Sequence, residues 1–192
     1  MINNMQNKTA IITGASNGIG MEIGKKFLQA GANVVFADSA KFDLENLISG
    51  VSSDIGSAHS FYGNMQDKLA VKNLIATTLN KFERLDILVN ANRAIIPSNP
   101  LDEKEGALEK SLSQNIIANL NVSQLFAKSV IKQTRNRKNG EIVGSMINLT
   151  SIAANQTIPE MMPYSVSCAA LNQMTRSLAV SLAKDGIRVN AI

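Results

Sequence analysis

Three glycines near the start of the chain have the spacing to bind a phosphate. Gly14, Gly18 and Gly20 stand in the stretch AIITGASNGIGMEIG, between an apolar run and a helical pattern. Gly14 permits a tight turn, Gly18 lets the backbone approach a pyrophosphate, and Gly20 lets the helix pack closely on the strand. Amides at the helix start then face the anion, with the helix dipole behind them. The spacing predicts a dinucleotide phosphate site.

A carboxylate stands where the next strand should end. Asp38 follows the run NVVFA, at about the 20-residue offset expected for the acidic group that binds the adenosine ribose. A carboxylate there accepts a hydrogen bond from the 2′-hydroxyl of NAD and repels the 2′-phosphate of NADP, so NAD is favoured over NADP. The alternative is that Asp38 only caps the following turn or helix.

The elements that must position these residues alternate along the chain. Short apolar runs at 9–13, 33–37, 60–63, 86–90, 145–150 and 187–192 are separated by longer helical patterns. Such alternation requires βαβ crossovers, and nearly continuous apolar strands are typical of a sheet covered on both faces. We therefore predict an α/β fold, a doubly wound parallel sheet of the Rossmann type, as a single domain over residues 1–192.

Composition limits the remaining classes of function. With 45% hydrophobic and 18% charged residues the chain can bury a core. The single cysteine excludes an internal disulfide and a multi-cysteine metal site, so we expect no metal and a cytoplasmic location. No apolar stretch approaches the ~20 residues that cross a bilayer. The basic residues Arg135, Arg137 and Lys138 have no interleaved aromatics. Neither a membrane nor a nucleic acid is expected as a partner.

Several motifs together carry a resemblance to one family. They are the segment 13–20, Asp38, Asn64, DILVN at 86–90, Asn121, Ser151, Tyr164 and RVNAI at 188–192. On these residues the chain resembles the short-chain dehydrogenase/reductase family, in the manner of 3-oxoacyl reductases and hydroxysteroid dehydrogenases. The match runs over essentially all of the chain.

The resemblance implies an oxidoreductase that uses NAD(P) to interconvert a secondary alcohol and a ketone. Tyr164 would be the general acid or base, Ser151 would hydrogen-bond the substrate oxygen, and Asn121 would hold a water in the proton relay. The family also implies a small-molecule substrate and a homo-oligomer, either a dimer or a tetramer. The cofactor-binding residues it implies are Gly14, Ser16, Asn17, Gly18, Ile19, Gly20, Asp38, Asn64, Met65 and Asn90, with Asn64 near the adenine.

The chain departs from the family one helical turn after the tyrosine. The usual lysine lowers the pKa of the tyrosine and holds the nicotinamide ribose, and Cys168 stands in its place. Lowering a tyrosine pKa from about 10 by about three units takes about 4 kcal/mol. A neutral thiol cannot supply that, and a thiolate would raise the pKa by like-charge repulsion. We expect Cys168 to fill space; the alternative is a reactive thiol.

A second departure follows the strand at 86–90. The family commonly reads Asn-Asn-Ala-Gly there, and this chain has Asn90, Ala91, Asn92 and Arg93. The usual glycine lets the backbone pass beside the nicotinamide. Either Arg93 obstructs the cofactor, or its guanidinium points toward Tyr164 and partly replaces the missing cation.

A third departure is that the sequence stops after RVNAI. We expect it to lack the family's C-terminal lid and last edge strand, whether as a fragment or as a shortened member. With Cys168 and Arg93, this leaves a second hypothesis beside the active oxidoreductase. In that hypothesis the chain is a catalytically impaired member that acts as a nucleotide-binding or scaffold protein.

Overall fold

A computed structural model of the chain describes residues 5–16, 18–49, 56–99, 101, 106–136, 138, 140–156 and 158–192, without the side chains of 41–43 and 47. The strands are β1 (Thr9–Thr13), β2 (Asn33–Asp38), β3 (Ala58–Tyr62), β4 (Ile87–Asn90), β5 (Gly144–Asn148) and β6 (Ile187–Ala191). The helices are α1 (Gly18–Gln29), α2 (Lys41–Ser49), α3 (Lys68–Phe82), α4 (Ala107–Leu112), α5 (Ala118–Gln133) and α6 (Met162–Leu182). A π-helical turn over Ser113–Ile117 joins α4 to α5, and 3-10 turns cover Ile152–Ala154 and Ala183–Asp185.

The strands form one parallel sheet in the order β3-β2-β1-β4-β5-β6. Every residue of β1 is buried, and so is every residue of β2 after the first, because helices cover both faces of the sheet. The predicted doubly wound α/β fold is confirmed. β6 pairs only with β5 and forms one edge of the described sheet.

Five of the six strands have limits that differ from the predicted ones, and β3 and β5 differ most. β3 covers Ala58–Tyr62 where the sequence predicted 60–63, and β5 covers Gly144–Asn148 where it predicted 145–150. The pairing with the neighbouring strand sets these limits, since Ala58 pairs with Val34 and Gly144 pairs with Ile187. Apolar runs do not mark such ends, because glycine and small residues join a ladder through their main chain.

The order of the strands reverses beside β1. From β1 the chain moves outward through β2 and β3, then returns to β4 on the other side of β1, where Thr13 pairs with Asn90. Open α/β sheets bind ligands in the crevice at the carboxyl ends of the strands where this reversal occurs. The fold therefore puts the glycine loop after β1 and the segment after β4 at the expected ligand site.

Apolar side chains pack on both faces of the sheet. One cluster joins α3 and α5 to the strands and includes Leu74, Val122 and Phe126. The other joins α1 to the opposite face and includes Leu28 and Phe36. Across the parts of the chain that the structure describes, no helix combines the length and the apolar character needed to cross a membrane.

Candidate active site

The turn after β1 is held against the segment after β4. Gly14 has a φ of 64°, in the left-handed region that residues with a side chain rarely adopt. A Cβ on Gly14 would lie 2.5 Å from the main-chain nitrogen of Asn92 and 2.6 Å from the carbonyl oxygen of Ala91. A side chain at this position would displace backbone. The two segments at the switch point are thus in direct contact.

The other two glycines of the loop have different surroundings. A Cβ on Gly20 would lie 2.6 Å from the carbonyl oxygen of Gly14, which accounts for the close packing of α1 on the turn. No described atom lies within 4 Å of the corresponding position on Gly18. Ile19 is exposed, and Asn17 lies outside the described residues. The free space beside Gly18 is what the approach of a phosphate requires.

Asp38, at the end of β2, is bonded to the glycine loop. Its Oδ2 accepts hydrogen bonds from the Ser16 amide at 2.9 Å and the Ser16 hydroxyl at 2.7 Å. Its Oδ1 accepts from the Ser39 amide at 2.7 Å and more weakly from the Ala40 amide at 3.4 Å, just before α2. Asp38 therefore caps the turn before α2, which was the alternative role expected from the sequence. Its carboxylate also holds Ser16 of the phosphate loop in place.

A cavity of about 510 Å³ lies over this edge of the sheet. It extends from the end of β2, across the end of β1, to the segment after β4. The predicted cofactor residues in its wall are Gly14, Asp38, Asn64 and Met65. The other residues of its wall are Ser39, Tyr62, Gln66, Asn92, Arg93 and Gln114.

Asn64 and Asn121 shape the wall after β3. The Oδ1 of exposed Asn64 accepts from the Gln66 amide at 3.0 Å. Asn121, on α5, is buried and donates from Nδ2 to the carbonyl oxygens of Met65 at 3.3 Å and Gln66 at 3.1 Å. Its side chain has no bond to Ser151 or Tyr164. The structure therefore places the Asn121 amide beneath the cavity wall, and its role in a proton relay stays a prediction.

Asn90 lies below the cavity with no exposed surface. Its Nδ2 donates to the Oδ1 of Asn148 at 2.8 Å and to the Oγ of Ser123 at 3.0 Å, while its Oδ1 accepts from the Thr13 hydroxyl at 3.5 Å. These bonds join β1, β4, β5 and α5. The side-chain amide of Asn90 therefore holds the carboxyl ends of these strands in position beneath the cavity.

The two predicted catalytic hydroxyls meet beyond the end of β5. Ser151 caps the 3-10 turn that follows, and its Oγ accepts from the Ala153 amide at 3.2 Å. Tyr164 lies in the first turn of α6, directly after Pro163, a residue well suited to a helix start. Tyr164 is 4% exposed, and the Ser151 side chain lies close enough to act on the pKa of its phenol.

The surroundings of Tyr164 disfavour its phenolate. Loss of hydration raises its pKa above the usual 10; the hydrogen bond from Ser151 lowers it, and the charge and hydrogen bond of Cys168 raise it again. Arg93 lowers it by its positive charge, but the net pKa is raised. Burial also raises the pKa of the Cys168 thiol, which is 4% exposed. Position 168 thus brings no cation to the phenol.

Asn115, which the sequence analysis did not select, connects the segment after β4 to α6. Its Oδ1 accepts from the Ala94 amide at 2.6 Å, and its Nδ2 donates to the Ala94 carbonyl at 2.9 Å and the Ser167 hydroxyl at 2.9 Å. Ser167 in turn donates to the carbonyl oxygen of Tyr164 at 2.8 Å. Asn115 lies in the π-helical turn, an irregularity that is frequent at functional sites.

One sequence signal points to Asn115 in retrospect. Asn115 and Asn119 are spaced by one helical turn, and the Asn119 side chain donates to the Asn115 carbonyl at 2.8 Å. Buried asparagines need such partners. The same helix also holds Asn121, however, and nothing in the sequence ranks the three.

Outside this site we looked for groups that could bind a metal ion and for further cavities among the described residues. No group of three or more His, Cys, Asp or Glu side chains that could hold a metal ion occurs among the described residues. A further cavity, of about 550 Å³, lies along β6 and the end of α6. It contains none of the predicted site residues.

Known proteins match this chain along nearly its whole length. The model of the short chain dehydrogenase family matches residues 8–192. An uncharacterized oxidoreductase of Thermotoga maritima is 34% identical over 189 residues, which are 98% of this chain and 71% of that protein. The 3-oxoacyl-[acyl-carrier-protein] reductase FabG of the same organism is 30% identical over 188 residues, 98% of this chain and 73% of that protein. Human dehydrogenase/reductase SDR family member 4 is 30% identical and is covered over 65% of its length.

Solved structures agree on the fold. A short chain dehydrogenase from Mycobacterium smegmatis superposes with a TM-score of 0.89 at 21% identity, over 98% of this chain and 77% of the other. A short-chain dehydrogenase/reductase of unknown function from Caenorhabditis elegans, solved with cofactor, gives a TM-score of 0.84 at 33% identity, over 98% and 69%. The family implies a nicotinamide dinucleotide cofactor and an oxidoreductase, and this chain belongs to the short chain dehydrogenase family.

Proposed function

We propose that the chain is an NAD(P)-dependent oxidoreductase that interconverts a small secondary alcohol and a ketone, with NAD favoured over NADP. The observation that carries this is that the buried Tyr164 lies close enough to Ser151 for the Ser151 hydroxyl to lower the pKa of the phenol. The cavity that carries the predicted dinucleotide residues lies at the same carboxyl edge of the sheet. Relatives described as an oxidoreductase and as a 3-oxoacyl-[acyl-carrier-protein] reductase support a carbonyl substrate.

The residues of the cavity fit a dinucleotide. The free space beside Gly18 and the amides at the start of α1 suit a pyrophosphate, with Ser16, Asn17, Ile19 and Gly20 forming the rest of the loop. Asn64 and Met65 suit the adenine end. When bound, the nicotinamide supplies or accepts the hydride; the chain's own groups position the substrate and move the proton.

Asp38 supports the preference for NAD. Its carboxylate lines the cavity and already accepts a bond from the Ser16 hydroxyl, so a ribose hydroxyl can take the place of that donor. A 2′-phosphate at the same place would meet the negative charge of the carboxylate.

Tyr164 and Ser151 handle the substrate oxygen. In the reducing direction the phenol of Tyr164 donates its proton to the carbonyl oxygen as the carbon is reduced, and the Ser151 hydroxyl hydrogen-bonds to the same oxygen. In the oxidising direction the phenolate takes the proton of the alcohol. Asn115 is the positioning residue we propose for this end, since it bonds to the segments on both sides.

The test measures NADH binding by calorimetry and reduction of a panel of ketones by NADH consumption. Three proteins are compared: the wild type, Cys168→Lys, and Cys168→Met as a control of similar length without charge. We expect the wild type to bind NADH and to reduce a ketone slowly. Cys168→Lys should raise kcat about tenfold or more, because a lower pKa makes the Tyr164 phenol a stronger acid toward the carbonyl oxygen. Absence of NADH binding in all three folded proteins would refute the assignment.

A binding protein without turnover is the second candidate, in the nucleotide-binding or scaffold role. The raised pKa of Tyr164 beside a neutral Cys168 favours it. The same experiment separates the candidates: NADH binding with no reduction by the wild type, restored by Cys168→Lys, would indicate the binding protein. Light scattering would measure whether the chain forms the expected homo-oligomer.

A further inference from the structure

Arg93 is the one cationic residue among the described residues that line the cavity over the sheet edge. The one acidic residue of the same wall is Asp38, which lies after β2 and is already bonded to Ser16 and Ser39. Arg93 lies after β4, is exposed, and forms no ion pair with a carboxylate among the described residues. The cavity wall thus carries a positive charge that no described carboxylate neutralises.

The segment that carries Arg93 lies directly against the glycine loop. A Cβ on Gly14 would be 2.5 Å from the main-chain nitrogen of Asn92. Arg93 is the next residue, and consecutive Cα atoms are about 3.8 Å apart, so the Arg93 Cα lies within about 8 Å of that point. Gly14 and Arg93 also line the same cavity. The long side chain of Arg93 therefore begins beside the loop that is expected to bind the pyrophosphate.

Hydrogen bonds hold this segment on both sides of Arg93. The Asn92 side chain donates to the Gln114 carbonyl at 3.1 Å. The side chain of the buried Asn115 bonds to the amide of Ala94 at 2.6 Å and to its carbonyl at 2.9 Å. The main chain at position 93 is therefore fixed relative to the glycine loop. Binding of an anion there needs to order only the arginine side chain, which keeps the entropic cost of binding small.

The glycine loop itself supplies no full positive charge to a phosphate. Residues 9–24, which cover β1, the loop and the start of α1, contain no lysine or arginine. The amides and the dipole at the start of α1 offer only partial charges to a pyrophosphate that carries two negative charges. A guanidinium binds phosphate oxygens through two parallel hydrogen bonds and stays charged at every working pH. Arg93 can therefore supply the charge that the loop lacks.

We propose that Arg93 is a phosphate ligand of this site, and that its guanidinium binds the pyrophosphate of the dinucleotide from the segment after β4. This rests on the proposed function, because that function supplies the dinucleotide. The pyrophosphate is favoured over the 2′-phosphate of NADP, because the carboxylate of Asp38 repels a phosphate at the adenosine ribose. Arg93 holds the cofactor and takes no part in the transfer of the proton.

Ligands that differ in their phosphates test this role without any turnover. Calorimetry measures the dissociation constants of ADP, adenosine, NADH and NADPH for the wild type, Arg93→Gln and Arg93→Lys. We expect Arg93→Gln to weaken binding of ADP and NADH about tenfold, since charge-assisted hydrogen bonds to phosphate are lost. Adenosine has no phosphate, so its affinity should stay within about twofold. Arg93→Lys should weaken ADP binding about threefold, because lysine keeps the charge and loses the paired bonds.

The salt dependence of ADP binding adds a readout that a merely structural role would not move. Between about 0.05 and 0.5 M KCl, the ADP affinity of the wild type should fall more steeply than that of Arg93→Gln, because salt screens the charge contact. Arg176→Gln is the matched control, since Arg176 is exposed on α6 and lies outside the cavity wall. It should leave every constant unchanged. Circular dichroism confirms that the variants compared are folded.

The proposal is overturned if Arg93→Gln binds ADP as tightly as the wild type does. It is also overturned if the substitution weakens binding of NADPH alone, which would place the guanidinium at the 2′-phosphate. Tighter NADH binding by Arg93→Gln would overturn it by showing that Arg93 obstructs the cofactor. If the wild type reduces no ketone, yet binds ADP and loses about tenfold in Arg93→Gln, the proposed oxidoreductase fails and the role of Arg93 is upheld.

Discussion

The two ends of the candidate site are built from different parts of the chain. At the β1 end the binding groups belong to the main chain: Gly14 and Gly20 allow close contacts, and Gly18 leaves room for a ligand. At the Tyr164 end the proposed chemistry depends on side chains that come from two separate segments, namely Ser151, and Tyr164 with Cys168. We call the β1 end the backbone-based end, because its shape is set by the main chain. We call the Tyr164 end the charge-based end, because its chemistry depends on charged and ionisable side chains.

This difference decides what each end can tolerate. A backbone contact such as that of Gly14 with Ala91 is local, and no residue elsewhere can restore it once a side chain intrudes. A charge acts over several ångström, so it can come from another element. A cation that is lost at one position can therefore be supplied from another, whereas the glycine loop has no such substitute.

The largest effect should come from the charge-based end. Tyr164→Phe removes the proton donor and should lower kcat for ketone reduction by about 100-fold or more. NADH affinity should stay within about twofold of the wild type, because the ring remains in place. Steady-state kinetics and calorimetry measure the two quantities. Turnover at the wild-type rate by this variant would mean that Tyr164 is not the general acid. The chemistry of the charge-based end would then not depend on this side chain.

The next effect tests the backbone-based end. Gly14→Ala places a methyl group against the main chain of Asn92 at a positive φ, and should cost about 2–4 kcal/mol of unfolding free energy. Gly18→Ala is the matched control, since the space around it is open; it should cost less than about 1 kcal/mol yet weaken NADH binding. Urea unfolding and calorimetry check both. Equal losses of stability would mean that the close contact at Gly14 is unimportant.

A substitution of Asp38 tests whether a charge at the backbone-based end determines the preference for NADH over NADPH. Asp38→Asn keeps the size of the side chain and removes its negative charge, so the preference for NADH over NADPH should fall about tenfold, equivalent to about 1.4 kcal/mol. The ratio of the two dissociation constants measures the preference. An unchanged ratio would leave Asp38 as a residue that only holds Ser16 and the start of α2.

The smallest effect concerns stability at alkaline pH. Burial raises the pKa of both Tyr164 and Cys168, so the folded state holds their protons more tightly than the unfolded state. The stability gained in this way is complete below their ordinary pKa values, near 9 for the thiol and 10 for the phenol, and is lost as the pH rises through the raised values. The slope is at most about 1.4 kcal/mol per pH unit for each group.

In Cys168→Ala the unfolding free energy should fall less steeply as the pH rises. It removes one of the two groups, and it also removes the thiolate that raises the pKa of Tyr164. Urea midpoints at pH 8, 9 and 10 compare the variant with the wild type, with Arg176→Gln as a surface control. A steeper loss in Cys168→Ala would contradict the assigned direction of the shifts.

The backbone-based end was largely predictable from the sequence. Glycine spacing and strand ends specify local geometry, so the loop, its helix and Asp38 follow from a short stretch of residues. The bond between Asp38 and Ser16 was not predictable, because it depends on how β1 and β2 lie side by side. Asn17 lies outside the described residues, and its role stays a prediction.

The charge-based end was predictable only in part. Resemblance to the family selected Ser151 and Tyr164, which the structure brings close to each other. It also selected Asn121, whose amide supports the wall after β3 and whose relay role stays a prediction, while Asn115 bonds to Ser167 on the helix of Tyr164. Three asparagines on one helix look alike in sequence, because only the packing of that helix against α6 decides which of them faces the site.

The sequence by itself determined the order of the strands and helices, the glycine loop and the absence of a cation at position 168. These follow from periodicity, from the conformational freedom of glycine and from residue identity, all of which are local. The tertiary structure alone decided which asparagine bonds to α6 and how deeply Tyr164 is buried. Burial and electrostatics depend on distances between segments far apart in the chain, and only the folded arrangement sets those distances.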